Sequence, residues 1–154
     1  MSATVSPYGA TTDYTYVNYT SSASPGTVTA TTNSHWTKQT LDGLGRTIRS
    51  ESGDTTNGTT SVVDTQYVAC GCSPLGKVGA VSRPHTPTGT VYWTTYHYDW
   101  QGRTTSVVLP DNSTTTYVYD DRGTSEAAAS YVRITDRRAS RSGSRWMASG
   151  IWRR

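Results

Sequence analysis

Asp99 and Asp120 recur at matching places in two similar stretches. Paired carboxylates are the equipment of glycoside hydrolysis, which wants carboxyl groups roughly 5–9.5 Å apart. Their neighbours argue for another job. Each opens an Asp-x-x-Gly tetrad, Asp99-Trp100-Gln101-Gly102 and Asp120-Asp121-Arg122-Gly123. Asp at the first position and Gly at the fourth mark a type I turn, and such an Asp accepts from backbone N–H groups of its own turn. Both are read as turn formers, and no catalytic residue is expected. Cys70 and Cys72 are one residue apart, whereas zinc sites want four ligands and pairs at wider spacing. His35, His85 and His97 are the only histidines available, and nothing in the sequence brings them together. A disulfide across one residue would be strained, so the two cysteines are read as free or loosely coupled thiols in a turn. No metal and no cofactor is expected. His-Glu-x-x-His, Gly-x-Ser-x-Gly and a phosphate loop are absent, and Gly43-Leu44-Gly45 is too short for a dinucleotide fingerprint.

The elements that must carry these turns are short strands. Thr90–Tyr98 is a run of strand formers that leads into the Asp99 turn, and Arg103–Leu109 reads as the return strand. Pro110-Asp111-Asn112-Ser113 is the next turn, with Asp and Asn tolerant of left-handed backbone. Thr114–Tyr119 is the third strand. Turns at this spacing predict an antiparallel meander of hairpins. The stretch repeats at an offset of 21 residues, with Tyr96, Tyr98, Asp99 and Gly102 answered by Tyr117, Tyr119, Asp120 and Gly123. An earlier, degraded copy at Thr40–Arg46 keeps Asp42, Gly45 and Arg46 without the tyrosines, and Tyr14-Thr15-Tyr16 is a fainter echo. Tyrosines at i and i+2 share a strand face, so each copy presents an aromatic rib. Ribs of neighbouring hairpins are expected to stack across strands. Arg103 is expected to lie over an aromatic face or to pair with a carboxylate of the next unit.

Composition agrees with strands. The 154 residues include 29 Thr, 19 Ser, 11 Tyr, 5 Trp and no Phe, and only 33% are hydrophobic. Charged residues make up 16%, below the roughly 25% of an average globular chain. A helical bundle and charge-rich disorder are both disfavoured, and an all-β chain with a thin core is expected. No apolar run approaches the roughly 18 residues of a membrane helix. The first residues, Ser2-Ala3-Thr4-Val5-Ser6, lack the basic and apolar regions of a secretory signal.

The sequence Tyr96-His97-Tyr98-Asp99-Trp100-Gln101-Gly102-Arg103, echoed 21 residues later with Thr124 in place of the arginine, resembles the YD repeat of the Rhs family. Cys70–Lys77 and Gly89–Trp93 are also similar to bacterial Rhs proteins, and the resemblance spans roughly residues 8–123. It implies repeats that coil into a hollow β-shell around a toxin domain, as in polymorphic toxins. Related shells in insecticidal toxin complexes and teneurins imply carbohydrate binding and cell contact. The expected fold is thus a partial β-shell, a non-catalytic fragment whose partners are further YD repeats of a parent chain or copies of itself. A secreted or cell-surface location follows from the same resemblance. The alternative is a carbohydrate- or surface-binding module that stacks sugars on exposed tyrosines and on Trp93 and Trp100.

The repeat region is read as residues 1–123 and a basic tail as residues 124–154. Residues 1–121 hold six basic and nine acidic side chains, a net of −3, while residues 122–154 hold eight Arg and two acids, a net of +6. A short helix is expected over Ser125–Ile134, capped by Ser125, with no periodicity after Asp136. Arg, Ser, Ala, Gly and Trp are what an off-frame reading of GC-rich DNA yields, so the tail reads as a frameshift product. A tail that contacts nucleic acid or an acidic membrane surface through its arginines, with Trp146 and Trp152 among them, is the lesser reading.

Overall fold

The computed structural model describes residues 4–5, 9–119, 131–136 and 145–148, and all its regular elements are strands. They are β1 (Thr4–Val5), β2 (Thr11–Val17), β3 (Gly26–Thr32), β4 (His35–Leu41), β5 (Thr47–Asp54), β6 (Gly58–Cys70), β7 (Ser73–Ser82), β8 (Trp93–Tyr98), β9 (Thr104–Val108), β10 (Thr114–Tyr119), β11 (Tyr131–Asp136) and β12 (Arg145–Ala148). The expected all-β antiparallel meander is what the chain forms. Among the described residues no helix is long and apolar enough to cross a membrane.

The chain divides into two compact units, one built from residues 1–68 and 78–93, the other from 69–77 and 94–154. In the first, β2 to β6 pair in chain order, each antiparallel to the next. Threonine dominates this sheet because its branched Cβ suits pleated backbone and its hydroxyl finds partners within the layer. Thr12 and Thr32 stand opposite each other and share a hydroxyl hydrogen bond of 2.6 Å. Lys38 faces Glu51 at 3.3 Å across β4 and β5. The core is thin: Val62 is fully buried, and Ala80 and Ser82 nearly so. Around Val62 the connection after β7 is pinned by a pair of backbone bonds between Val62 and His85. The His85 ring bridges the Thr86 carbonyl at 2.8 Å and the Asp64 carboxylate at 3.1 Å. The Ser82 hydroxyl accepts from the Asp64 N–H at 2.8 Å.

In the second unit β8 to β12 also pair in chain order. β8 starts at Trp93, three residues later than the run of strand formers at Thr90. The reason is that the Tyr92 carbonyl accepts from Arg83, which ties it to the preceding connection. The Pro110 turn forms as expected, with Asn112 at φ 61° and the Leu109 N–H donating to Ser113. Over Tyr131–Ile134 the expected helix is corrected to strand, since β11 pairs along β10. Val132, Ile134 and Thr135 are β-branched, and the edge of β10 offers its hydrogen bonds to them. Arg145–Ala148 likewise forms a strand where no periodicity was visible. The rest of the expected helix, Ser125 included, lies outside the described residues.

Candidate functional site

Two corners of the chain share one construction. Asp42–Arg46 joins β4 to β5, and Asp99–Arg103 joins β8 to β9. In each, Gly donates its N–H to the Asp carbonyl three residues back, and the Asp N–H donates to the Arg carbonyl at 2.9 Å. That is a type I turn followed by a left-handed residue, Gly45 at φ 76° and Gly102 at φ 81°. This geometry displaces the ladder by one residue, and the register shifts occur between Thr40 and Leu41 and between His97 and Tyr98. The left-handed position is where glycine is needed, because a Cβ would meet the following carbonyl.

Inside each corner the aspartate is saturated. Asp42 Oδ1 accepts from the Leu44 and Arg46 N–H groups at 2.9 Å, and Oδ2 accepts from Arg46 Nε at 2.7 Å. Asp99 repeats this with Gln101 N, Arg103 N and Arg103 Nε at 2.9, 2.9 and 2.7 Å. Burial pushes both carboxyls up, but the arginine and backbone donors outweigh it and hold both below the ordinary carboxylate value. The arginine pairs with the carboxylate of its own turn. The expected aromatic cover is present. Arg46 Cζ lies 4.2 Å from the Tyr67 ring centre, and Arg103 Cζ lies 4.5 Å from that of Tyr119. Each tyrosine then donates its hydroxyl to the residue after the arginine: Tyr67 to Thr47 O at 3.1 Å, Tyr119 to Thr104 O at 2.8 Å. Continuing each strand register past its last ladder pair sets Tyr67 opposite Arg46 and Tyr119 opposite Arg103. The two corners match in register as well as in contacts.

The tyrosines adjacent to Asp99 have a different place. Tyr96 and Tyr98 are half-buried on one face while His97 is exposed. Lys77 Nζ stands 5.1 Å from the Tyr98 ring centre, and burial, with Tyr96 beside it, raises the Tyr98 hydroxyl above its ordinary value. The 96/98 and 117/119 ribs are not on adjacent strands, as the expected cross-strand stacking requires. β9 intervenes, so Tyr96 faces Val107 and Tyr98 faces Thr104, while Tyr117 faces Ile134 and Tyr119 faces Val132. Among the described residues, Tyr14 and Tyr16 stack along β2, with centroids 6.4 Å apart and planes at 21°. Asp120 and Gly123 lie outside the described residues. Trp93 is half-buried at the start of β8, and Trp100, in the turn past its other end, is 81% exposed.

Sequence reasoning missed Tyr67, Thr47 and Thr104. The signal was there: Asp, Gly, Arg and Thr recur 57 positions apart, from 42, 45, 46 and 47 to 99, 102, 103 and 104. The covering tyrosine follows its arginine by 21 residues in one corner and 16 in the other, so it has no fixed spacing. The reading of Cys70 and Cys72 as thiols is corrected: they form a disulfide. The turn with Gly71 at its centre brings the two Cα atoms to 5.1 Å, within bridging range. Cys72 packs on the second corner, where a Cβ added to Gly102 would lie 2.5 Å from Cys72 Sγ. Lys77 donates to the Gly102 carbonyl at 2.8 Å. Set against protein-family models and against curated proteins, the chain matches none.

Proposed function

We propose that this chain is a non-catalytic structural segment of an Rhs-type repeat shell, whose parent encloses a toxin or engages a cell surface. The observation that carries this reading is the duplicated Asp-x-x-Gly-Arg-Thr corner with its tyrosine cover. A device built twice from the same contacts is the mark of a repeat whose units are closed by their neighbours. The aspartates spend their lone pairs on their own turns, which supports a structural role over acid–base work. The disulfide suits an oxidising compartment, in keeping with a secreted or cell-surface parent. Further repeats of that parent, or other copies of this chain, are the proposed neighbours. The test is to translate the source DNA in all three frames through and beyond codons 120–154. Resumption of Tyr-x-Tyr-Asp-x-x-Gly-Arg in another frame is the expected result. A genuine stop with no repeat in any frame would overturn the reading of a shell fragment.

A second reading rests on Trp100, a residue 81% exposed at a hairpin tip. Exposed indole faces stack on sugar rings, so a carbohydrate-binding surface is the alternative. Saturable quenching of tryptophan fluorescence by a glycan, lost in Trp100→Ala, would support it. Flat titrations across a broad glycan panel with folded protein would remove it.

A further inference from the structure

The tip of the β6–β7 hairpin carries chemistry that the repeat corners do not use. Cys70 ends β6 and Ser73 begins β7, so Cys70-Gly71-Cys72 is the turn itself. A bridge across one residue closes a minimal loop. Such a bridge restricts the unfolded chain least of all, because the loop-closure term grows with loop length. Stabilisation is therefore a poor account of why this pair is present.

Its surroundings suit exchange. Cys72 is exposed and Cys70 half-buried. A Cβ added at Gly71 would meet nothing within 4 Å, so the approach over the turn is open. Cys72 Sγ and Lys77 Cε converge on the same point beside Gly102, 2.5 and 3.2 Å from where its Cβ would be. The bond from Lys77 Nζ to the Gly102 carbonyl holds the ammonium there. The Cys72 N–H donates to Cys70 Sγ at 3.3 Å. Positive charge thus lies beside the exposed sulfur, and a hydrogen-bond donor lies on the other.

We propose that Cys70–Cys72 is a thiol–disulfide exchange site for a small anionic thiol of the glutathione kind, with Cys72 attacked and Cys70 leaving. The incoming thiolate forms a bond to Cys72 Sγ as the Cys70–Cys72 bond breaks, and its electron pair departs on Cys70 Sγ. A second thiolate attacks the sulfur of the attached thiol and releases Cys72. Two thiols become one disulfide, the cysteine pair gains two electrons, and the two protons lost by the incoming thiols reappear on the cysteines. Lys77 is the positioning charge: it draws the anion in and stabilises the negative charge spread over three sulfurs.

The test uses the full chain with reduced glutathione over a concentration series, followed by acid quench, alkylation and mass measurement. The expected result is progressive conversion to the dithiol. In the single-cysteine variants, treated instead with oxidised glutathione so that each protein thiolate displaces one glutathione thiolate, adducts form faster on Cys72 (Cys70→Ser) than on Cys70 (Cys72→Ser). Lys77→Met slows the glutathione reaction about tenfold, and Lys77→Arg stays within about twofold of the parent. In the unaltered protein the glutathione rate falls with added salt while the rate with neutral 2-mercaptoethanol does not, a readout that survives any folding defect in the variants. A bridge left intact at every glutathione concentration, faster adduct formation on Cys70, or equal salt dependence for the two thiols would each overturn the proposal.

Discussion

The corners at Asp42 and Asp99 are alike in their interiors and unlike in what surrounds them. Both hold a saturated aspartate, a left-handed glycine, an arginine under a tyrosine, and a tyrosine hydroxyl on the next carbonyl. Around the first, Tyr19 lies against Gly43, where an added Cβ would come within 3.1 Å of its ring, and Gly45 has nothing within 4 Å. Around the second, Trp100 takes the place of Gly43 and projects into solvent, while Gly102 is hemmed in by Cys72 and Lys77. The shared parts make the chain turn. The parts that differ are free to vary, and they are where the exchange chemistry and the exposed indole are found.

The largest contrast is expected from the glycines. Gly45→Ala meets only left-handed backbone strain, about 1–2 kcal/mol. Gly102→Ala meets the same strain plus a clash with Cys72, about 1–3 kcal/mol more. Urea unfolding of the two variants measures the difference, and equal costs would mean that Cys72 yields freely. Next come the arginines. Arg46→Met and Arg103→Met each strip the charged donor from an aspartate and are expected to cost about 1–2 kcal/mol. Arg46 is expected at the upper end, because its side chain is 23% exposed against 36% for Arg103. Unfolding midpoints in low and high salt check the order, and Arg103 as the costlier loss would break it. Smaller still is the loss of the tyrosine hydroxyls. Tyr67→Phe and Tyr119→Phe keep the ring over the arginine and remove one hydrogen bond, about 0.5–1.5 kcal/mol each. Tyr119→Phe is expected to cost more, since its bond is the shorter, and the same unfolding assay decides.

The gentlest probe is acid. Asp42 and Asp99 titrate below the ordinary carboxylate value in the folded chain. Their contribution is therefore complete above that ordinary value and is lost as pH falls through the depressed one. Stability is expected to decline on acidification, and to decline less steeply in the Asp42→Asn/Asp99→Asn double variant. Unfolding midpoints over an acid pH series check it, and unchanged steepness would mean that other carboxylates carry the acid response.

Strand identity was legible in the sequence because it is written locally, in threonine and tyrosine runs cut by Asp-x-x-Gly. The corner turns were legible for the same reason, from Asp at the first position and Gly at the fourth. The partner of each arginine was not. Its tyrosine lies on the strand after the return strand, and the lengths of the intervening hairpins differ, so spacing carries no record of it. The expected rib stacking failed because side-by-side copies in sequence are two strands apart in the sheet, with β9 between. The disulfide was misread because the strain argument ignored the turn, which brings the Cα atoms of Cys70 and Cys72 close enough on its own. Tyr131–Ile134 was misread because a free strand edge outweighs the weak helix preference of a short alanine run before it.

A sheet in which, among the described residues, only Val62 is fully buried holds together through ladder hydrogen bonds and threonine contacts rather than through an oily interior. Melting it releases mostly polar surface to water, which lowers heat capacity where apolar surface raises it. The heat-capacity increment of unfolding should be small for a chain of this length. Its stability then changes slowly with temperature, without the pronounced dome of a protein built around a hydrophobic core, and cooling has little hydrophobic driving force to take away.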